Sequence, residues 1–253
     1  MRKNMLAGNW KMNMSVASTK EYFEVMGQQL SGMSGIENLD LVIGAPYTLL
    51  ATAADSKPAQ FSISSQSVHW EDTGAFTGEI SAAMLKELQV THAIIGHSER
   101  RQFFGETDET VLRRTEKALS VGITPIVCVG ELLADRESGR TEEVVRTQIE
   151  AVVSNIAATS EIVIAYEPVW AIGTGLAATS EQAEEVHAFI RSLLVNSYGQ
   201  EIADKIRILY GGSMKPGNID ELMSQPNVDG GLVGGASLKP NDFLDMIKVA
   251  ATK

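Results

Sequence analysis

The 253-residue sequence has one cysteine, Cys128, so it can form no intramolecular disulfide and assemble no cysteine-rich zinc cluster. It also has no apolar run of membrane-spanning length. The apolar stretch behind the charged start Met-Arg-Lys-Asn-Met-Leu-Ala is too short for a signal-peptide core. A reducing cytoplasm and no membrane partner are therefore expected. Positive charge is scarce as well, with 21 Lys and Arg against 32 Asp and Glu, a formal net charge of −11. Such a chain repels nucleic acid and anionic membranes at long range, which makes nucleic acid an unexpected partner. An anionic small molecule is not excluded. Salt screens distant charges over about 8 Å, so one lysine and a few backbone N–H groups can reverse the potential inside a pocket.

Hydrophobic residues make up 44% of the chain and charged residues 21%, the balance of a globular protein with a sizeable core. Short β-branched or apolar runs recur at Met5–Trp10, Asp40–Gly44, Phe61–Ser64, Ala93–Gly96, Ile123–Val129, Ile162–Tyr166, Ile206–Tyr210 and Val228–Val233. They read as buried parallel strands. Between them lie helical patterns, among them Ser15–Leu30, Glu106–Ser120, Thr141–Ala157, Thr179–Ser197 and Asn241–Ala250. About eight strand–helix units in roughly 250 residues favour closure into an α/β barrel of the (β/α)8 type over an open sheet. No linker or composition shift divides the chain, so residues 1–253 are expected to form one barrel domain.

Gly211-Gly212-Ser213-Met214-Lys215-Pro216 is echoed, with one inserted residue, by Gly234-Gly235-Ala236-Ser237-Leu238-Lys239-Pro240. Both follow predicted strands, the seventh and eighth. Loops there often build a phosphate site in barrels, because glycines let the backbone approach the anion and helix N-termini supply N–H donors.

Glu167 ends the sixth strand, and pleat alternation puts it on the face of Val163 and Ala165. A partly desolvated carboxylate at a barrel mouth can serve as a general base. The segment after it, Val169 to Gly175, is too apolar for an idle surface loop and contains Gly173 and Gly175, which suits a closing lid. His97 ends the fourth strand and precedes a potential helical turn, where the local positive potential favours a neutral imidazole. Asn9 and Lys11 straddle Trp10 at the end of the first strand, aimed to one side. Lysine there supplies a positive charge this acidic chain otherwise lacks. His69, His92 and His187 read as structural. No metal-ligand set, Walker loop, GxGxxG after a first strand or Schiff-base lysine on the sixth strand is visible. Proton abstraction beside a carbonyl, without metal or cofactor, is what these groups suit.

The chain resembles the triosephosphate isomerase family end to end. The resemblance rests on Gly8-Asn9-Trp10-Lys11-Met12-Asn13, Gly74-Ala75-Phe76-Thr77-Gly78-Glu79, Ile95-Gly96-His97-Ser98-Glu99-Arg100-Arg101, Ala165-Tyr166-Glu167-Pro168-Val169-Trp170-Ala171-Ile172-Gly173-Thr174-Gly175 and the two Gly-Gly loops. It implies a TIM barrel that interconverts D-glyceraldehyde 3-phosphate and dihydroxyacetone phosphate in glycolysis and gluconeogenesis, with no cofactor or metal. In the family's established arrangement, Glu167 would move the proton and His97 would polarise the carbonyl. Lys11 and Asn9 would stabilise developing charge, and Gly173, Ser213, Gly234 and Gly235 would hold phosphate. Glu99 would stand behind these groups. The resemblance also implies a homodimer through the loop Gln66–Glu79, with Thr77 reaching the partner's site. Leu176 and Ser67 stand where the family often has lysine and usually asparagine. An isomerase of a larger sugar phosphate and a catalytically silent phosphate-binding barrel are the alternatives.

Overall fold

The computed structural model describes residues 2–159, 161–171 and 178–253. In chain order the elements are β1 (Asn4–Asn9), α1 (Val16–Leu30), β2 (Leu39–Gly44), α2 (Leu50–Ser56), β3 (Phe61–Ser65), α3 (Ala82–Glu87) and β4 (His92–Ile95). They continue with α4 (Ser98–Phe104), α5 (Asp108–Ser120), β5 (Thr124–Val129), α6 (Leu133–Glu137), α7 (Thr141–Val153) and β6 (Val163–Tyr166). The last are α8 (Ser180–Tyr198), α9 (Gln200–Ala203), β7 (Arg207–Tyr210), α10 (Ile219–Leu222), β8 (Gly230–Val233) and α11 (Pro240–Ala250). The strands pair in order and β8 returns to β1, closing an eight-stranded parallel barrel. This is the (β/α)8 architecture expected from the sequence.

Pleating sorts the strand side chains into two cores. Met5, Ala7, Val42, Ile94, Ile126, Cys128, Val163, Ala165, Leu209 and Leu232 fill the barrel interior. Their neighbours, such as Leu6, Leu41, Ile43, Ile63, Ile95, Val127, Ile164 and Ile208, face outward and pack beneath the helices. Both faces are therefore dry, which explains why the strands read as continuous apolar runs rather than as alternating ones. Asn9 and Glu167 continue the inward series of Met5-Ala7 and Val163-Ala165, so the same alternation delivers them to the barrel mouth.

Helix boundaries differ from the sequence pattern where side chains compete for the backbone. The expected helix from Glu106 begins at Asp108, because Thr107 caps it: the Thr107 side chain accepts from Thr110 N, and the Thr110 hydroxyl takes up Thr107 N. Glu106 is buried instead, ion-paired with Arg100 and Arg114. The helix expected to reach Ala157 stops at Val153, after its last buried apolar residues, and Asn155 Nδ2 bonds back to Ala151 O at 3.0 Å.

His187, on α8, is fully buried with Nδ1 3.0 Å from Asn227 O and no partner for Nε2 among the described residues. Tyr166 and Tyr210 flank its ring, and Arg191 lies near. Burial pushes its pKa down to about 4. Unfolded histidine titrates near 6.5, so between these values the unfolded chain binds the extra proton and stability falls as pH falls. His187 should account for a loss of roughly 2–3 kcal/mol across that window. His187→Gln, which stays neutral, should flatten the decline in melting temperature between pH 7 and 5. Parallel curves for parent and variant would refute the assignment.

Candidate active site

At the C-terminal mouth of the barrel, a cavity of 380 Å³ is lined by Asn9, Lys11, His97, Glu167, Ser213, Gly234 and Gly235, together with Gly211, Gly212 and Leu232. The strand ends thus gather into one place the residues singled out on β1, β4, β6, β7 and β8. Gly173, expected to contact phosphate, and Leu176 lie outside the described residues. Of the expected lid, Val169–Ala171 forms a short 3-10 turn.

Lys11 reaches the cavity through a backbone twist. Its φ is 50°, a left-handed conformation that costs a lysine roughly 1–2 kcal/mol. Three contacts hold the twist: Lys11 N donates to Asn9 Oδ1 at 3.0 Å, Gln66 Nε2 donates to Lys11 O at 2.8 Å, and Asn13 Nδ2 donates to Trp10 O at 2.7 Å. Trp10 is buried against Tyr22 and Phe23, and its Nε1 donates to Ser237 O at 3.2 Å. That bond ties the loop carrying Lys11 to the loop carrying Gly234 and Gly235. The Lys11 ammonium pairs with Glu99 Oε1 at 2.6 Å, and Glu99 Oε2 lies 3.6 Å from His97 Nδ1. Glu99 therefore contacts both groups.

Glu167 is 2% exposed. Oε2 accepts from Ser98 N at 2.9 Å, Oε1 accepts from the Ser98 hydroxyl at 3.4 Å, and His97 Nε2 lies 2.9 Å from Oε1. Burial alone would raise this carboxyl, but His97, the Ser98 N–H and Lys11 outweigh it and hold the group below its ordinary value. It is therefore ionised at neutral pH. Gly211 makes room for it, since a Cβ there would sit 2.8 Å from Glu167 Cγ.

His97 caps α4. Its Nδ1 accepts from Glu99 N at 3.2 Å, which leaves Nε2 as the donor toward Glu167. Burial disfavours the imidazolium, yet the facing Glu167 carboxylate more than offsets this and raises the pKa. The sequence anticipated a helix N-terminus favouring the neutral ring. The structure adds an opposing carboxylate that no local pattern announces.

Sequence reasoning missed Ser98, whose adjacency to His97 was the only signal. It also missed Glu131, which is fully buried at the end of β5, where Oε1 accepts from Tyr166 OH at 3.1 Å and Trp170 Nε1 at 2.9 Å. A carboxylate directly after the apolar run ending in Val129-Gly130 was the available clue. In the loop after β3, Ser67 Oγ accepts from Arg114 Nη1 at 3.0 Å, so the serine at this position has a buried partner.

No group of three or more potential metal-ligating side chains occurs among the described residues, and no described helix is long and apolar enough to cross a membrane. A profile described as triosephosphate isomerase matches residues 4–250. The triosephosphate isomerase of Solibacter usitatus is 51% identical over 250 residues, covering 98% of this chain and 99% of its own. That of Acetivibrio thermocellus is 49% identical, covering 98% of both chains. That of Pelodictyon phaeoclathratiforme is 50% identical over 255 residues, covering 99% of this chain and all of its own. With barrel, cavity and end-to-end similarity in agreement, this chain belongs to the triosephosphate isomerase family.

Proposed function

We propose that residues 1–253 act as one barrel domain that interconverts D-glyceraldehyde 3-phosphate and dihydroxyacetone phosphate, with Glu167 as the base. The observation that carries this reading is a buried, ionised carboxylate facing the same 380 Å³ cavity as the two Gly-Gly loops, His97 and Lys11. At the start of the 3-10 turn Gly235–Leu238, the N–H groups of Gly235 and Ala236 are suited to a phosphate, as is Ser213, whereas Ser237 N already donates to Gly234 O at 2.9 Å. With the phosphate held there, the carbonyl and its neighbouring carbon come within reach of His97 and Glu167, which line the same cavity.

Glu167 takes a proton from the carbon next to the carbonyl and returns it to the other carbon. To do so it exchanges its bonds to Ser98 and His97 for the substrate. His97 Nε2–H is then free to donate its proton to the former carbonyl oxygen and to take up the hydroxyl proton of the neighbouring oxygen, the transfer that the isomerisation also requires, and the largest influence raising its pKa has moved away. Lys11 and Asn9 face the same cavity and stabilise the enediolate charge. The proton transfer needs no metal or cofactor. A coupled assay of glyceraldehyde 3-phosphate conversion with EDTA present tests the whole reading. Fast turnover is expected, and a folded but inactive chain would overturn it in favour of a phosphate-binding barrel or a larger sugar substrate.

The active unit is a homodimer built on the loop Gln66–Glu79. Residues 71–78 are exposed throughout, while Ser67, Val68 and His69 anchor the loop in the protein. Phe76, Met84, Phe103 and Phe104 also expose apolar surface, between 43% and 68% of each residue. In light scattering, the parent should have twice the 27.3 kDa chain mass. Thr77→Arg, at the loop tip, should shift it toward monomer and lower activity on dilution. A fully active monomeric parent would refute the dimer. A reducing cytoplasm suits the chain, whose single cysteine is buried.

A further inference from the structure

Gln148 is a polar residue on an apolar helix face. On α7, Val145, Ile149 and Val152 are buried toward the barrel, and Gln148 lies beside them at helical spacing. Its carboxamide makes two bonds to one backbone unit. Oε1 accepts from Gly130 N at 2.7 Å, and Nε2 donates to Gly130 O at 3.2 Å. This is the pairing a neighbouring strand would provide, and here the strand is missing. β4 ends at Ile95, and Gly96, with φ 71°, turns the chain into α4. The β4-facing edge of β5 is thereby uncovered beyond Val127, the partner of Ile95.

Two side chains cover that edge. Arg101 Nη2 reaches Cys128 O at 3.5 Å while its Nε holds Gly96 O at 2.9 Å, and Gln148 takes Gly130. On its opposite edge the same stretch of β5 grips the catalytic segment. Glu167 N donates to Val129 O at 2.7 Å, and Val169 N donates to Glu131 O at 3.2 Å. Gly130 lies so close to this segment that a Cβ on it would overlap the Glu167 carbonyl oxygen. Any shift of residues 129–131 is therefore passed directly to the backbone of Glu167.

We propose that Gln148 is a positioning residue for Glu167: its carboxamide replaces the missing β4 strand, holds residues 129–131 in extended register, and so sets the place of the base. This rests on the reading of Glu167 as the base. A base displaced by about 1 Å can lose on the order of 10²-fold in rate, whereas the two Gly-Gly loops that hold phosphate follow β7 and β8, neither of which pairs with β5.

The test compares the full chain with Gln148→Met, which keeps the volume and loses both bonds, and with Gln148→Glu, which keeps an acceptor for Gly130 N. Measured for each are kcat, the inhibition constant of inorganic phosphate and the melting temperature, beside Glu167→Gln. Gln148→Met should lower kcat by about 10- to 100-fold with phosphate inhibition within twofold of the parent, and Gln148→Glu should fall between. If Gln148→Met does not fold, the same split in Gln148→Glu decides the matter. A kcat within twofold of the parent, or kcat and phosphate affinity falling together, would overturn the proposal. Should Glu167→Gln itself remain active, the assignment of the base fails instead.

Discussion

Glu167→Gln should lower turnover by about 10²–10⁴-fold, the contribution of a positioned general base, while inorganic phosphate still binds with near-parent affinity. The amide has nearly the same shape but cannot accept the proton. It also suits the pocket poorly. Ser98 N–H, the Ser98 hydroxyl and His97 Nε2 all surround the carboxylate, so an amide NH₂ must point at a donor. Glu167→Asp separates these two effects. It keeps the charge and withdraws it by one methylene, so it should lose on the order of 10²-fold by misplacement alone. Loss in both variants with preserved phosphate inhibition identifies Glu167 as the base. Parent-like turnover of the glutamine variant would remove it from that role.

Lys11→Met should lower kcat/KM by about 10²–10³-fold, with KM raised and kcat reduced. Lysine at this position is a fixed cation facing the cavity in a chain of net charge −11, whereas the other cavity-lining lysine, Lys215, is exposed to solvent. Its removal has a second consequence. The Glu99 carboxylate, 2.6 Å from the ammonium, would be left 3.6 Å from His97 Nδ1 without a cation. An uncompensated negative charge there opposes both phosphate binding and enediolate formation. The double variant Lys11→Met/Glu99→Gln should therefore recover part of the loss, and steady-state kinetics of the two variants measure how much. An unchanged KM and kcat in Lys11→Met would exclude this role.

The sequence made the barrel legible because its signals are local. The buried strands are four to six residues long and mostly apolar, and helix starts carry their own caps, as with Ser15, Thr107 and Thr179. Strand parity was enough to send Asn9 and Glu167 inward. Where the pattern misled, at Glu106 and beyond Val153, a side chain with a specific partner outcompeted the helix, and periodicity carries no record of such a partner.

The sequence by itself therefore determined the order of strands and helices, the closure they permit, and which residues stand at the strand ends, since each depends on neighbours within a turn or a pleat. Only the tertiary structure decided how those residues are held. The left-handed Lys11 is secured by Gln66, 55 positions away, Glu167 by Ser98, 69 positions away, and the Lys11 ammonium by Glu99, 88 positions away. Gly130 is clamped by Gln148 from a helix that follows it in the chain. Such contacts exist only once the barrel has closed, because closure brings the strand ends within hydrogen-bonding distance.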